Sequence, residues 1–364
     1  MIQSISLLRA LAVIFVMYDH LVGMWLTKNN VSWLPEEFIS GYILEPFGIF
    51  QHGGAFAVAL FFLVSGFIIP HVARNETRKE FLIKRFFRIY PPLWTSITFI
   101  IALSILAGWG GLKINNAVPA SIFNLFSAAT LTNYLRLPQS PPVNGGAWTL
   151  IIEVLFYSFF ALFYRNIIKH PRAAMAAIAF IFAAIFYFSR IGGHFHLFSA
   201  QCVFISYMFL GTLIFLRWAG YIRPLFFIVA TAGIWLLFLT GTNAITAQPL
   251  YTVEGYAISY GLAYIVFATV FRLEGSIKPG AILTHMARIS YSTYLLHGCI
   301  GLFLLDNLYP FFGYLLYLLI ALAFIFTASH FSHRFVEAPT QRLARELIGR
   351  KKARTQEESQ AAVS

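Results

Sequence analysis

Ten stretches of this chain are long and apolar enough to cross a lipid bilayer, near residues 5–27, 49–72, 91–111, 147–165, 173–190, 198–217, 222–240, 250–271, 283–306 and 310–332. A hydrocarbon core about 30 Å thick takes about 20 residues of helix. Inside lipid the backbone has to satisfy its own hydrogen bonds. The expected fold is therefore an all-α polytopic membrane protein with about ten transmembrane helices. Charged residues make up 11% of the chain, against about 25% in soluble domains. With a mean hydropathy of +0.73, no separate water-soluble core is expected. Very short loops between the middle spans make those helices antiparallel neighbours.

A net charge of +12 could suggest nucleic acid, but the cations sit in short loops between apolar stretches and in the C-terminal tail. Alternating the ten spans places 22 of the 26 Lys and Arg residues on one side and leaves Lys28, Lys113, Arg136 and Arg190 on the other. Cytoplasmic loops carry the Lys and Arg excess, so both termini are expected in the cytoplasm and no nucleic-acid partner is expected. Cys202 and Cys299 lie within apolar stretches, which fits neither a disulfide framework nor a thiolate metal site. The first span has no small-residue cleavage site and reads as a retained helix. Residues 1–340 form one expected membrane-embedded unit, and 341–364 a basic tail expected to be disordered. Three further segments lie outside the spans. They are loop 28–48, the basic and aromatic segment 73–90, and loop 112–146, whose apolar middle could form an interfacial or re-entrant helix.

The first span, Leu7 to Leu26, carries Arg9, Asp19 and His20. An ionisable group at the centre of a membrane helix costs roughly 2.5–3.5 kcal/mol and marks a functional candidate. Eleven residues separate Arg9 from His20, which on an ideal helix puts them within roughly 20° on one face and about 16 Å apart in depth. His20 is either a hydrogen-bonded core histidine or a general base. Asp19 faces about 100° away and is a structural hydrogen-bonder or a neighbour of that base. Glu153 lies at a depth similar to His20, where it could orient the imidazole or raise its basicity. Otherwise it forms a pair that only holds helices together. Tyr157, one turn on, could join it, and Trp148 sits at the interface. In KRFFRIYPP, Arg85 and Arg88 either anchor the membrane edge or bind phosphate, with Pro91 and Pro92 expected to open the next helix. Ser65 and Gly66 are packing residues or the wall of a ligand tunnel. His297 is a core hydrogen-bonder or a neighbour of the reacting groups. Glu337 and Pro339 are expected to be structural. No metal-ligand spacing or phosphate-cradling glycine loop is present.

In chain order, Arg9 and His20 at an Arg-x10-His spacing, FFLVSGF at 61–67, KRFFRIYP at 84–91, GAWTLIIEVLFY at 146–157, ISYSTYLLH at 289–297 and FVEAP at 335–339 resemble the membrane-bound acyltransferase family 3. That family includes bacterial O-acetyltransferases of surface glycans and macrolide acyltransferases, and the resemblance covers about residues 4–340. Thr149 stands where the family usually has Ser and keeps the hydroxyl. The soluble esterase-like domain of some members is not expected, so acceptors known from two-domain members do not carry over.

The resemblance implies an inner-membrane acyltransferase moving an acyl group, acetyl above all, from cytoplasmic acyl-CoA to a hydroxyl of a glycan or related acceptor. His20 and Glu153 would be catalytic. Arg9, Arg85, Arg88, Ser65 and Gly66 would hold the CoA, with Asp19, Trp148, Tyr157 and His297 around them. Direct transfer is expected, and no metal. A transporter or flippase for a lipid-linked glycan or organic anion is the competing expectation from the same charges.

Overall fold

The computed structural model describes residues 2–114, 119, 121–245, 252–309 and 313–361. Ten long helices run alternately up and down: α1 Gln3–Asn29, α2 Gly54–Ala73, α3 Arg78–Trp109, α4 Trp148–Lys169, α5 Pro171–Phe188, α6 Gly193–Trp218, α7 Pro224–Ile245, α8 Val253–Arg272, α9 Ala281–Leu308 and α10 Tyr314–Ser332. Among the described residues there is no strand, and nine helices are long and apolar enough to cross a membrane. The expected span missing from these nine is the ninth, 283–306, which falls on α9; that helix is 28 residues long but carries the polar residues Ser290, Ser292, Thr293 and His297, all buried in the bundle. The start of the tenth apolar stretch, 310–312, and residues 250–251 at the start of the eighth lie outside the described residues.

Helices α1, α2, α6 and α9 form the interior, with α2 packed against α1, α6 and α8, and α1 against α9. The outer helices turn bare apolar side chains outward, such as Phe180 on α5 and Leu225 on α7. A membrane protein places such groups against lipid tails. The amino-terminal end of α1 and the start of the C-terminal tail share one end of the bundle. There Glu274 accepts from the Gln3 and Ser4 amides at 2.8 and 2.6 Å, and Thr340 donates to the Phe87 carbonyl.

One expectation changes here. Pro91 and Pro92 do not open the third span. Helix α3 starts at Arg78, after a capping box in which Thr77 Oγ1 accepts from the Glu80 amide and Glu80 Oε2 from the Thr77 amide, the signature of a helix start. The prolines therefore lie inside α3. A proline has no N–H to give the carbonyl four residues back, so Pro91 leaves the Phe87 carbonyl free, and Thr340 Oγ1 takes it at 3.3 Å. The same device recurs in α2, where Pro70 frees the Gly66 carbonyl and Thr212 Oγ1 of α6 donates to it at 2.9 Å. Helix α10 runs through a π-turn, His333–Glu337, into α11, Ala338–Ala361. Its Ala, Arg, Lys, Gln and Glu content is that of a good helix former. Residues 362–364 lie outside the described residues.

In loop 112–146, the expected apolar segment is a helix at Ile122–Thr130, capped by Ser121 and tied to α3 by the Trp94 indole donating to the Ala129 carbonyl.

Candidate functional site

Five helices enclose a small polar cavity of about 60 Å³, lined by Arg9 of α1, Phe61 and Ser65 of α2, Arg88 of α3, Thr149 and Glu153 of α4, and Ser290, Tyr291 and Tyr294 of α9 among others. Arg9 donates to Ser290 Oγ at 2.8 Å. Glu153 Oε1 accepts from Ser65 Oγ at 3.3 Å and from the Tyr157 hydroxyl. Both guanidinium groups lie within electrostatic reach of Glu153 and of Glu337 at the π-turn after α10. Two cations and two carboxylates thus balance inside the bundle, which is how buried charge is tolerated. Glu337 also accepts from Ser292 at 3.0 Å and Gln341 at 3.3 Å and meets His333 Nδ1 at 3.0 Å, in keeping with its expected structural role.

His20 stands beside this cavity in a different set of contacts. Its Nδ1 is 2.7 Å from His297 Nε2, and its Nε2 is 3.7 Å from Asp19 Oδ2. The chain at Asp19–Gly23 is a π-turn within α1, a feature often found at functional sites. Glu153 was the carboxylate that could orient His20, but the hydrogen-bond partner of its ring is His297. The reason is lateral: similar depth does not make α4 the neighbour of that face of α1, and α9 packs there instead. The Tyr294 ring, 5.9 Å from that of His297 between centroids, links the histidine pair to the cavity.

The remaining expected residues separate. Arg88 faces the cavity, whereas Arg85 lines a neighbouring apolar groove of about 380 Å³ with Phe86, Phe87, Tyr90 and Val154. Its guanidinium lies 5.4 Å from the Phe81 ring centroid and 5.8 Å from that of Tyr157. The buried Tyr157 stands between groove and cavity. Lys84 is paired with Glu76 at 2.8 Å. Ser65 lines the cavity, and Gly66 is not among its lining residues. Its Cα lies against the Met208 carbonyl of α6, where a Cβ would collide with main chain, so it is a helix-crossing residue. Trp148 packs edge-on against Phe62 and Phe204.

Ser290, Tyr291, Tyr294 and Thr149 belong to the cavity without having been singled out as site residues. A signal for them existed: Ser290, Tyr294 and His297 fall at i, i+4 and i+7, one face of a helix, inside the ISYSTYLLH run. Thr149 Oγ1 donates to the Tyr294 hydroxyl at 2.8 Å, and that hydroxyl donates to the Gly146 carbonyl at 2.9 Å. At the far end, Glu36 of loop 28–48 lies 3.6 Å from His52 Nδ1. The His52 ring rests against Gly23 of the π-turn, so this loop is tied to the segment carrying His20.

A family model described as an acyltransferase domain matches residues 2–331. The chain is 26% identical over 269 residues to the acyltransferase MdmB of Streptomyces mycarofaciens, covering 67% of each chain. It is 24% identical over 380 residues to a "Putative O-acetyltransferase" of Staphylococcus aureus (strain COL), covering 93% of this chain and 57% of that protein. It is also 27% identical over 161 residues to the "O-acetyl transferase" of Shigella phage Sf6, covering 41% of this chain and 42% of that one. The chain thus spans little more than half the length of the staphylococcal relative. No solved structure matches it.

Proposed function

The chain belongs to the acyltransferase 3 family, and from that premise we propose that it is a membrane O-acyltransferase using acyl-CoA, acetyl-CoA above all, to acylate a hydroxyl of a glycan or related acceptor. The relatives named O-acetyltransferases support an oxygen acceptor, and membership of an acyltransferase family favours an enzyme over a transporter or flippase. The observation that carries the reading is His20: an imidazole inside a membrane bundle, with 30% of its side chain accessible and one ring nitrogen held by His297. Such a group can take a proton from an attacking hydroxyl. In the proposed step the acceptor oxygen bonds to the thioester carbonyl carbon as its proton passes to His20. The C–S bond then breaks, and His20 returns the proton to the CoA thiolate. No acyl-histidine intermediate is required. The donor would approach from the basic end, taken as cytoplasmic in the bacterial inner membrane. Its phosphates would meet Arg85 and Arg88 on either side of Tyr157, and Arg9 would lie further along the path. Glu153 would hold the Ser65 and Tyr157 hydroxyls beside that path.

The test uses purified protein with radiolabelled acetyl-CoA and a panel of cell-surface glycans. His20→Ala should abolish label transfer while leaving CoA binding and the unfolding midpoint unchanged. Transfer at the wild-type rate by that variant would remove His20 from the chemistry. Arg85→Ala with Arg88→Ala should weaken CoA binding, and unchanged affinity would reject the phosphate role.

A further inference from the structure

His297 Nδ1 faces two main-chain carbonyls of its own helix, Tyr294 at 2.8 Å and Thr293 at 3.2 Å. A carbonyl oxygen only accepts, so Nδ1 carries a proton whichever charge state the ring is in. In the neutral ring, Nε2 is then an acceptor. His297 is 2% exposed, and among the described residues its Nε2 has one polar partner, His20 Nδ1, at 2.7 Å. The two rings are coplanar to within 3°, with centroids 4.9 Å apart. That separation is about one N···N hydrogen bond plus two ring radii, so the rings meet edge to edge in line and not face to face. His20 Nδ1 is therefore the donor, and the lone pair of neutral His20 sits on Nε2, the nitrogen turned toward Asp19.

We infer that His297 is a positioning residue that holds His20 in the Nδ1–H tautomer, so that Nε2 is its basic atom and Asp19 stands where the protonated ring needs an anion. The chain of donors runs from His20 to His297 to the carbonyls of Thr293 and Tyr294, which cannot turn round because its last members only accept. Asp19 completes the arrangement. Its carboxylate lies against the Cα of Gly54 at the start of α2, where a Cβ would occupy the same space as Oδ2, so close packing fixes its position 3.7 Å from His20 Nε2. A carboxylate there faces a lone pair while His20 is neutral and an N–H once the proton has arrived. Its attraction therefore grows as the hydroxyl proton is transferred, the condition for accelerating that step. The acceptor hydroxyl would approach Nε2 in the accessible space around the ring. This assignment rests on His20 being the base proposed above, whereas its tautomer is a property of the resting protein.

The experiment is nitrogen-15 magnetic resonance on histidine-labelled protein in lipid bilayers, with His20 assigned by its loss in His20→Ala, alongside acetyl-transfer kinetics. The wild-type protein should show His20 protonated on Nδ1 and bare on Nε2. His297→Phe removes the acceptor, and His20 should lose that preference while kcat falls by up to about 10⁴-fold, the loss seen when a catalytic imidazole is left in the wrong tautomer, with CoA affinity retained. His297→Gln offers a side-chain carbonyl oxygen to Nδ1–H and should restore both the tautomer and most of the rate. Protonation of His20 on Nε2 in the wild-type protein would overturn the inference. So would an unchanged His20 spectrum in both variants. If the phenylalanine variant does not fold, the wild-type and glutamine spectra decide. An Nδ1–H spectrum with activity surviving His20→Ala would refute the proposed base while leaving the tautomer assignment standing.

Discussion

Replacing Gly66 with alanine distinguishes a packing residue from a ligand wall. Helices α2 and α6 meet at Gly66 and Gly211. A Cβ on Gly66 would fall on the Met208 carbonyl oxygen, and a Cβ on Gly211 would collide with the Leu63 carbonyl and lie 2.9 Å from the Phe67 nitrogen. These obstacles are main chain and cannot rotate aside, so the helices have to part. Overpacking a tight interior costs about 1–3 kcal/mol. Parting the helices also stretches the 2.9 Å bond from Thr212 Oγ1 to the Gly66 carbonyl, the sort of interhelical bond worth about 0.6 kcal/mol in membrane bundles. Gly66→Ala should therefore destabilise by about 2–4 kcal/mol. Thermal unfolding in detergent should register this as a Tm lowered on the order of 5 °C. Ser65→Ala is the internal comparison. It removes a 3.3 Å hydrogen bond to Glu153, worth about 1 kcal/mol or less, and should leave Tm near wild type. A Gly66→Ala protein with wild-type Tm and selectively weakened acetyl-CoA binding would refute the packing argument and put Gly66 in the donor site.

Thr212→Val should lower Tm as well, because Pro70 leaves the Gly66 carbonyl with no other intrahelical donor; an unchanged unfolding midpoint would mean that this carbonyl finds another partner. Thr149→Ser should retain transfer activity, whereas Thr149→Val deprives the Tyr294 hydroxyl of its donor and should cost about 0.5–1.5 kcal/mol in the same unfolding assay. Glu337→Ala leaves Ser292, His333 and Gln341 without their shared acceptor and should destabilise by about 1–3 kcal/mol, read as a lowered Tm. Burial alone would raise the Glu274 carboxyl, but hydrogen bonds from Ser4 and from the Gln3 amide outweigh it and hold the group below the usual glutamate range. A depressed carboxyl stabilises fully above its unfolded value of about 4.3 and loses that contribution as pH falls through the lower folded value. Hydrogen exchange at the Gln3 and Ser4 amides should accordingly gain an acid-induced component below about pH 4.3 that Glu274→Gln lacks.

The helical class was legible because the bilayer's demand is local: a run of apolar residues with its own backbone hydrogen bonds is read one segment at a time. The motif residues Arg9, His20, Arg88 and Glu153 were legible because a charge inside such a run is expensive wherever it falls. Neighbours across the bundle were not. Depth follows from counting residues along one helix, and it put Glu153 level with His20. Which helix faces which depends on packing, and that set His297 of α9 against His20 and turned Glu153 toward Ser65 and Tyr157. The same limit hid the roles of Pro70 and Pro91, since a proline says only that a carbonyl has lost its donor. The replacement donors, Thr212 and Thr340, lie 146 and 253 residues from the carbonyls they serve. Sequence fixes what each helix must bury and how deep each charge lies along it. Only the tertiary structure decides the pairing around the bundle, because lateral contact is set by close packing between helices that the chain order does not specify.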